Sequence, residues 1–199
     1  MPGSPILPAM QRQRGMTLIE LMVVLAITAL LVTLAAPSFV RMIQSNAVSG
    51  SVNTFLGDLR FARSEAIRRG GNVVMCRSDT PEATAPTCGT GAGAGNAGWS
   101  TGWIVFLEQG TNDNFDSGTD TLLRVQSATK SVDAITDNPS STKFKFTATG
   151  RLQASGNTAA LTFGGTAFAS STKRTVCVSL GGRGRVAGDG NTSCGGSNE

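Results

Sequence analysis

The hydrophobic positions of this chain change their rhythm twice. From Met16 to Ala36 nearly every residue is apolar and Glu20 is the sole charge. Such a run is long enough to cross a hydrocarbon layer, which takes about 20 helical residues. Beyond Pro37, Val48, Val52, Phe55, Leu59, Ala62 and Ala66 recur at steps of three and four, with Arg41, Gln44, Arg60, Arg63 and Glu65 elsewhere on the wheel. That spacing predicts an amphipathic helix with one face on a domain and the other in water. Arg68 and Arg69 at its end suit the helix dipole, and Gly70-Gly71 stops it.

After Gly71 the apolar segments shorten to strand length, at 72–76, 103–107, 121–126, 131–135, 143–148, 158–163 and 174–180, divided by clusters of Gly, Asn, Asp and Ser. They predict an antiparallel β domain beside the helix. The expected architecture is α+β: a long N-terminal helix, transmembrane in its first half and amphipathic in its second, packed on an antiparallel β-sheet domain. Residues 79–97, rich in Thr, Ala and Gly, read as a long flexible loop. A length of 199 residues suits one such domain plus an appendage.

Composition narrows the function. Histidine and tyrosine are both absent, which removes the commonest general base and a frequent polar handle at catalytic sites. The four cysteines, Cys76, Cys88, Cys177 and Cys194, include no CxxC pair, so neither a metal site nor a cofactor is expected. They allow three disulfide connectivities. The local pairs Cys76–Cys88 and Cys177–Cys194 are favoured because each staples a loop, at about 2–4 kcal/mol, and they imply an oxidising compartment. The series Asn112, Asn114, Asp116 and Asp120 has some of the oxygen spacing of a calcium loop. Ser117 and Leu123 stand where that loop needs Gly and Glu, so a solvated turn is expected.

The leader 1–15 carries Arg12 and Arg14 and no acid, which holds it in the cytoplasm and sends the rest outward. A secretory signal peptide would place a small-residue cleavage site after the apolar run, whereas here Gly15 precedes it. The segment Arg14-Gly15-Met16-Thr17-Leu18-Ile19-Glu20-Leu21-Met22-Val23-Val24 resembles the prepilin signature of type IV pilins and pseudopilins. The resemblance implies cleavage after Gly15 by a prepilin peptidase and methylation of the new N-terminus at Met16, where the family usually has phenylalanine. It also implies that Glu20, costly inside an apolar span, pairs with the N-terminal amine of a neighbouring pilin or pseudopilin. The segments so defined are a leader at 1–15, a transmembrane helix at 16–36, an amphipathic helix at 37–70 and a β-rich domain at 71–199. The expected location is the inner membrane in a single pass, with the domain in the periplasm, or outside the cell once assembled.

Charge is informative when split. The chain has 17 basic and 13 acidic residues; loss of Arg12 and Arg14 leaves 15 against 13, a net +2. Between Asp137 and Asp189 there is no acid, yet Lys143, Lys145, Arg151, Lys173, Arg174, Arg183 and Arg185 fall there. Residues 176–186 read as a strand, a glycine turn and a returning strand. A three-residue loop with Gly184 at a bulge would set Val186 opposite Val178, leave Arg183 near the tip and turn Arg185 outward. Gly182 and Gly184 would then let a phosphate approach the backbone.

The prepilin start, the Gly-Trp-Ile-Val-Phe segment at 102–106 and this C-terminal stretch together resemble the GspH/FimT branch of minor pilins and pseudopilins. That branch includes members implicated in DNA uptake, with a Gly-Arg-x-Arg element matching Gly182, Arg183, Gly184 and Arg185 here. The leading expectation is a non-enzymatic minor pilin binding extracellular double-stranded DNA through Arg183 and Arg185, with Lys173 and Arg174 contributing less. The rival is a structural minor pseudopilin of a type II secretion system.

Overall fold

The computed structural model describes residues 15–138, 141–153, 159–187 and Cys194. Helix α1 runs Leu18–Arg69 over 52 residues. Thr17 caps its start, its hydroxyl accepting the Glu20 backbone N–H at 3.3 Å, so Thr17 and Glu20 have the spacing of a capping box. Pro37 lies inside the helix and has no N–H to offer the carbonyl of Thr33. The end is set by Gly70 at φ 82° and Gly71 at φ 112°, backbone angles that side chains resist.

The chain divides into two compact units, 1–40 and 41–199. In the first, every described side chain from Met16 to Val40 is exposed, and the segment is the one candidate membrane span among the described residues. The second unit carries the fold's core.

In the second unit the expected face of α1, Val48, Val52, Phe55, Leu59, Ala62 and Ala66, is buried, and Leu56 is buried beside it. Among the described residues, eight strands form two antiparallel sheets: β1 Gly71–Arg77, β2 Trp103–Leu107, β3 Thr121–Gln126, β4 Ala134–Asn138, β5 Lys143–Thr147, β6 Ala159–Gly164, β7 Arg174–Val178 and β8 Gly184–Val186. One sheet has the order β3-β2-β1-β5, the other β4-β6-β7-β8. Helix α1 and the inner faces of both sheets share one core. At its centre the Phe55 ring meets Trp99, Trp103 and Phe163 edge-on, with centroids 5.5, 5.5 and 5.7 Å away, an arrangement favoured by ring quadrupoles.

Strands β1 and β2 read as continuous apolar runs because both their faces are covered. Val73, Met75, Trp103 and Val105 face α1, while Val74, Cys76, Ile104 and Phe106 form a second cluster under Cys88 and Phe115. The disulfides Cys76–Cys88 and Cys177–Cys194 are both formed.

Three expectations are corrected. The fourth strand starts at Ala134 rather than at residue 131, because the Ser131 hydroxyl is held by Ser51 of α1 at 3.0 Å and the chain joins the sheet only afterwards. The loop expected to be flexible at 79–97 is anchored. The buried Arg77 guanidinium donates to Asp79 at 2.6 Å and to the Thr90 carbonyl at 2.7 Å, and Gly89 and Gly93 press on it closely enough to exclude a Cβ. The β7–β8 hairpin also has a different register: Val176 faces Val186, Cys177 faces Arg185 and Val178 faces Gly184. The positive φ falls on Gly182, at 72°, within a tip closed by the Gly182 N–H to Ser179 carbonyl bond at 2.8 Å.

Candidate functional site

Two regions hold the residues singled out from the sequence. At the N-terminus, Gly15 lies in exposed coil with open space around it. Met16 is 64% exposed, and Glu20 is exposed in the first turn of α1. Of this group, the turn around Thr17 and Glu20 is the part organised by contacts within the chain.

At the other region, the hairpin presents Arg183 and Arg185 to solvent. Strand alternation puts Arg185 beside Cys177 on the outer face of its sheet and Gly184 on the inner face. Gly184 has to be small: a Cβ there would strike Leu56 and Leu59 of α1. Gly182 is buried, and a Cβ on it would overlap the Gly150 carbonyl. Both glycines thus have packing reasons, and the arginines between and after them are what the loop displays. Lys173 and Arg174 are half-buried at the far end of β7. Lys173 packs against Gly164, so the structure does not bring this pair to the hairpin tip.

Ion pairs separate structural cations from available ones. Arg68 and Arg69 both bond Glu65, at 2.5 and 2.7 Å; these hydrogen bonds, Arg68 first, lower the Glu65 pKa to about 2. Lys145 reaches Glu108 and Asp113, each at 2.6 Å. Burial works against its charge, but the hydrogen bonds from Asp113 and Glu108 outweigh it and raise the Lys145 pKa. Arg183 and Arg185 form no ion pair among the described residues. The 112–120 series is a set of capped turns, in which Asp120 accepts the N–H groups of Gln109 and Asp116, and Asn112 accepts that of Asn114.

Sequence reasoning missed a buried carboxylate. Asp58 is 5% exposed on α1, accepting Trp103 Nε1–H at 2.8 Å and pairing with Arg124 at 2.5 Å. Its place three residues after Phe55, at the edge of the apolar stripe, was the available signal.

The fold and its N-terminal helix define a pilin-like protein, and comparison gives the family. The model described as type II transport protein GspH matches residues 51–182, so the chain belongs to the GspH family. A prokaryotic N-terminal methylation motif matches residues 10–36. Comparison with curated proteins gives no match. Among solved structures, the chain is similar to the type IV minor pilin FimU of Pseudomonas aeruginosa PAO1. One crystal form gives a TM-score of 0.53 at 15% identity, covering 74% of this chain and 93% of that one. A second gives 0.50 at 15% identity, with 73% and 96% covered. At that identity the likeness speaks for the fold.

Proposed function

We propose that this chain is a structural minor pseudopilin, built into a filament of a type II secretion system. The sequence alone put the DNA-binding pilin first; the family match reverses that order. The observation that carries the reading is the first part of α1, residues 18–40, almost wholly apolar with Glu20 its sole charge and exposed throughout among the described residues. Apolar surface of that extent requires lipid or other subunits to cover it. On this reading residues 1–15 are removed after Gly15 by a prepilin peptidase and residues 16–36 sit in the inner membrane until assembly. The amphipathic stretch 37–70 carries the β-rich domain 71–199 on the periplasmic side. The work is assembly, not catalysis.

Glu20 supplies the test. Replacing it with alanine removes a charge that is costly in lipid, by about 2.5 kcal/mol or more on insertion scales, so membrane insertion is expected to hold or improve. Incorporation into filaments, measured by immunoblot of sheared filament fractions, should fall at least several-fold. Full incorporation of Glu20→Ala would overturn the assembly role.

A second reading is supported by the exposure of Arg183 and Arg185 in the acid-free part of the chain. Here the hairpin binds double-stranded DNA through phosphates, as expected of a pilus subunit in DNA uptake. Gly182 and Gly184 hold the loop in place. R183Q/R185Q should then weaken binding to unrelated duplexes about equally and flatten the slope of log affinity against log salt by up to about 1.8, at about 0.9 per phosphate contact. Unchanged affinity in the folded double variant would leave the secretion reading alone.

A further inference from the structure

The arginines of the hairpin have neighbours that the sequence keeps far apart. The turn after β5 runs under the hairpin tip: the Leu152 N–H donates to the Leu180 carbonyl at 2.9 Å, and Gly182 packs on the Gly150 carbonyl. Gly150 in turn lies on α1, where a Cβ would meet Arg63 Cγ and Nε and the end of Ile67. So Arg63, the turn bearing Arg151, and the hairpin bearing Arg183 are stacked in succession. Gly184 rests on Leu56 and Leu59, which brings the same flank of α1 along β8. Arg60 follows Leu56 by four residues and precedes Arg63 by three, spacings that place it on that flank.

The charges of this side are uncompensated. Arg60, Arg63, Arg151, Arg183 and Arg185 make no ion pair among the described residues, and Arg63 Nε is buried without a hydrogen-bond partner. The acids of α1 nearest in sequence, Asp58 and Glu65, are engaged elsewhere, by Trp103 and Arg124 and by Arg68 and Arg69. Around the β8 edge, Arg60 and Arg63 lie on the helix side, Arg185 on the outer side, and Arg151 and Arg183 toward the tip.

We propose that these residues form one composite surface for the phosphodiester backbone of duplex nucleic acid, of which the hairpin is only part. The inference rests on the DNA-binding reading and extends it to α1 and the β5 turn. A single phosphate cannot reach arginines on both sides of a strand edge. A duplex, carrying one charge per about 1.7 Å of its axis, can satisfy several together. Guanidinium groups suit phosphate oxygens through their forked donors.

The experiment uses the full-length chain in detergent micelles and a duplex of arbitrary sequence, with affinity measured by fluorescence anisotropy across a salt series. R60Q/R63Q/R151Q, which leaves the hairpin intact, is expected to weaken binding at least tenfold and to flatten the log–log salt slope by up to about 2.7. Lys173→Gln, at the other end of β7, should change neither. Because Arg63 is half-buried, Arg60→Glu serves as the variant on an exposed position, with an expected loss of several-fold. If R183Q/R185Q weakens binding while the triple variant and Arg60→Glu bind as wild type does, the composite surface is overturned and the hairpin reading stands. If the unmodified chain shows no salt-dependent binding, both fall together.

Discussion

With Gly15 changed to leucine, the chain is expected to accumulate uncleaved in the membrane and to be missing from filaments. The fold offers no reason for such a loss. Gly15 precedes α1, nothing lies within 4 Å of where its Cβ would be, and Met16 after it is exposed. A leucine there disturbs no contact among the described residues, so the expected effect arises in an encounter with another protein, where a bare backbone allows close approach. Intact-mass spectrometry reads the result: the wild-type chain should begin at Met16 and the variant should keep residues 1–15. A processed variant, or a wild-type N-terminus elsewhere, would remove the processing assignment. Because on the proposed reading assembly follows cleavage, the expected effect is close to all or none.

Phe55→Ala should have the largest effect on stability, about 3–5 kcal/mol. Phe55 is fully buried where α1 meets both sheets, and its ring touches Trp99, Trp103, Phe144 and Phe163. Those rings come from the 99–107 segment, β5 and β6, so truncation opens a cavity that stiff rings collapse into poorly. In a unit of this size the loss corresponds to a fall of roughly 6–20 °C in melting temperature. Gly57→Ala is the matched control. It lies two residues on, exposed and with open space for a Cβ, and should stabilise the helix by about 0.5–1 kcal/mol. Similar melting temperatures for the two variants, by circular dichroism of the detergent-solubilised chain, would mean that the aromatic centre is not what joins helix to sheets.

What the sequence made legible was set by how local the information is. Phe55 and its stripe, the end of α1 at Gly70-Gly71 and the spans of β2 and β3 each follow from period or punctuation within a few residues. The two disulfides close short loops, and short-range pairing was the simplest connectivity. The failures all involve a distant partner. Ser131 leaves the strand pattern because Ser51 holds it, and the 79–97 loop is ordered by Arg77, whose surroundings come from residues up to Gly93. The hairpin register was misjudged because Val186 was expected to match Val178; in the structure Gly184 takes that place, packed closely against the ends of Leu56 and Leu59 on the distant helix. Of the proposed surface, Arg183 and Arg185 could be named from the sequence because they stand in one motif, and the structure places both in solvent. Arg60, Arg63 and Arg151 were not, since only the stacking of Gly150 under Gly182 relates them.

That stacking has a consequence for reading relatives. In this hairpin the small residues answer to the interior and the cations to the exterior, so the two halves of the Gly-Arg-Gly-Arg element are free to vary separately. A homologue that retained both glycines but carried neutral residues at the arginine positions would keep the same loop lying on the same helix, and would have given up the charge on which the proposed polyanion contact depends. Glycine spacing in the tail is therefore a marker of architecture. On the proposed reading, it is the charges, counted on the helix flank as well as in the tail, that would tell a nucleic-acid-binding member from a purely structural one.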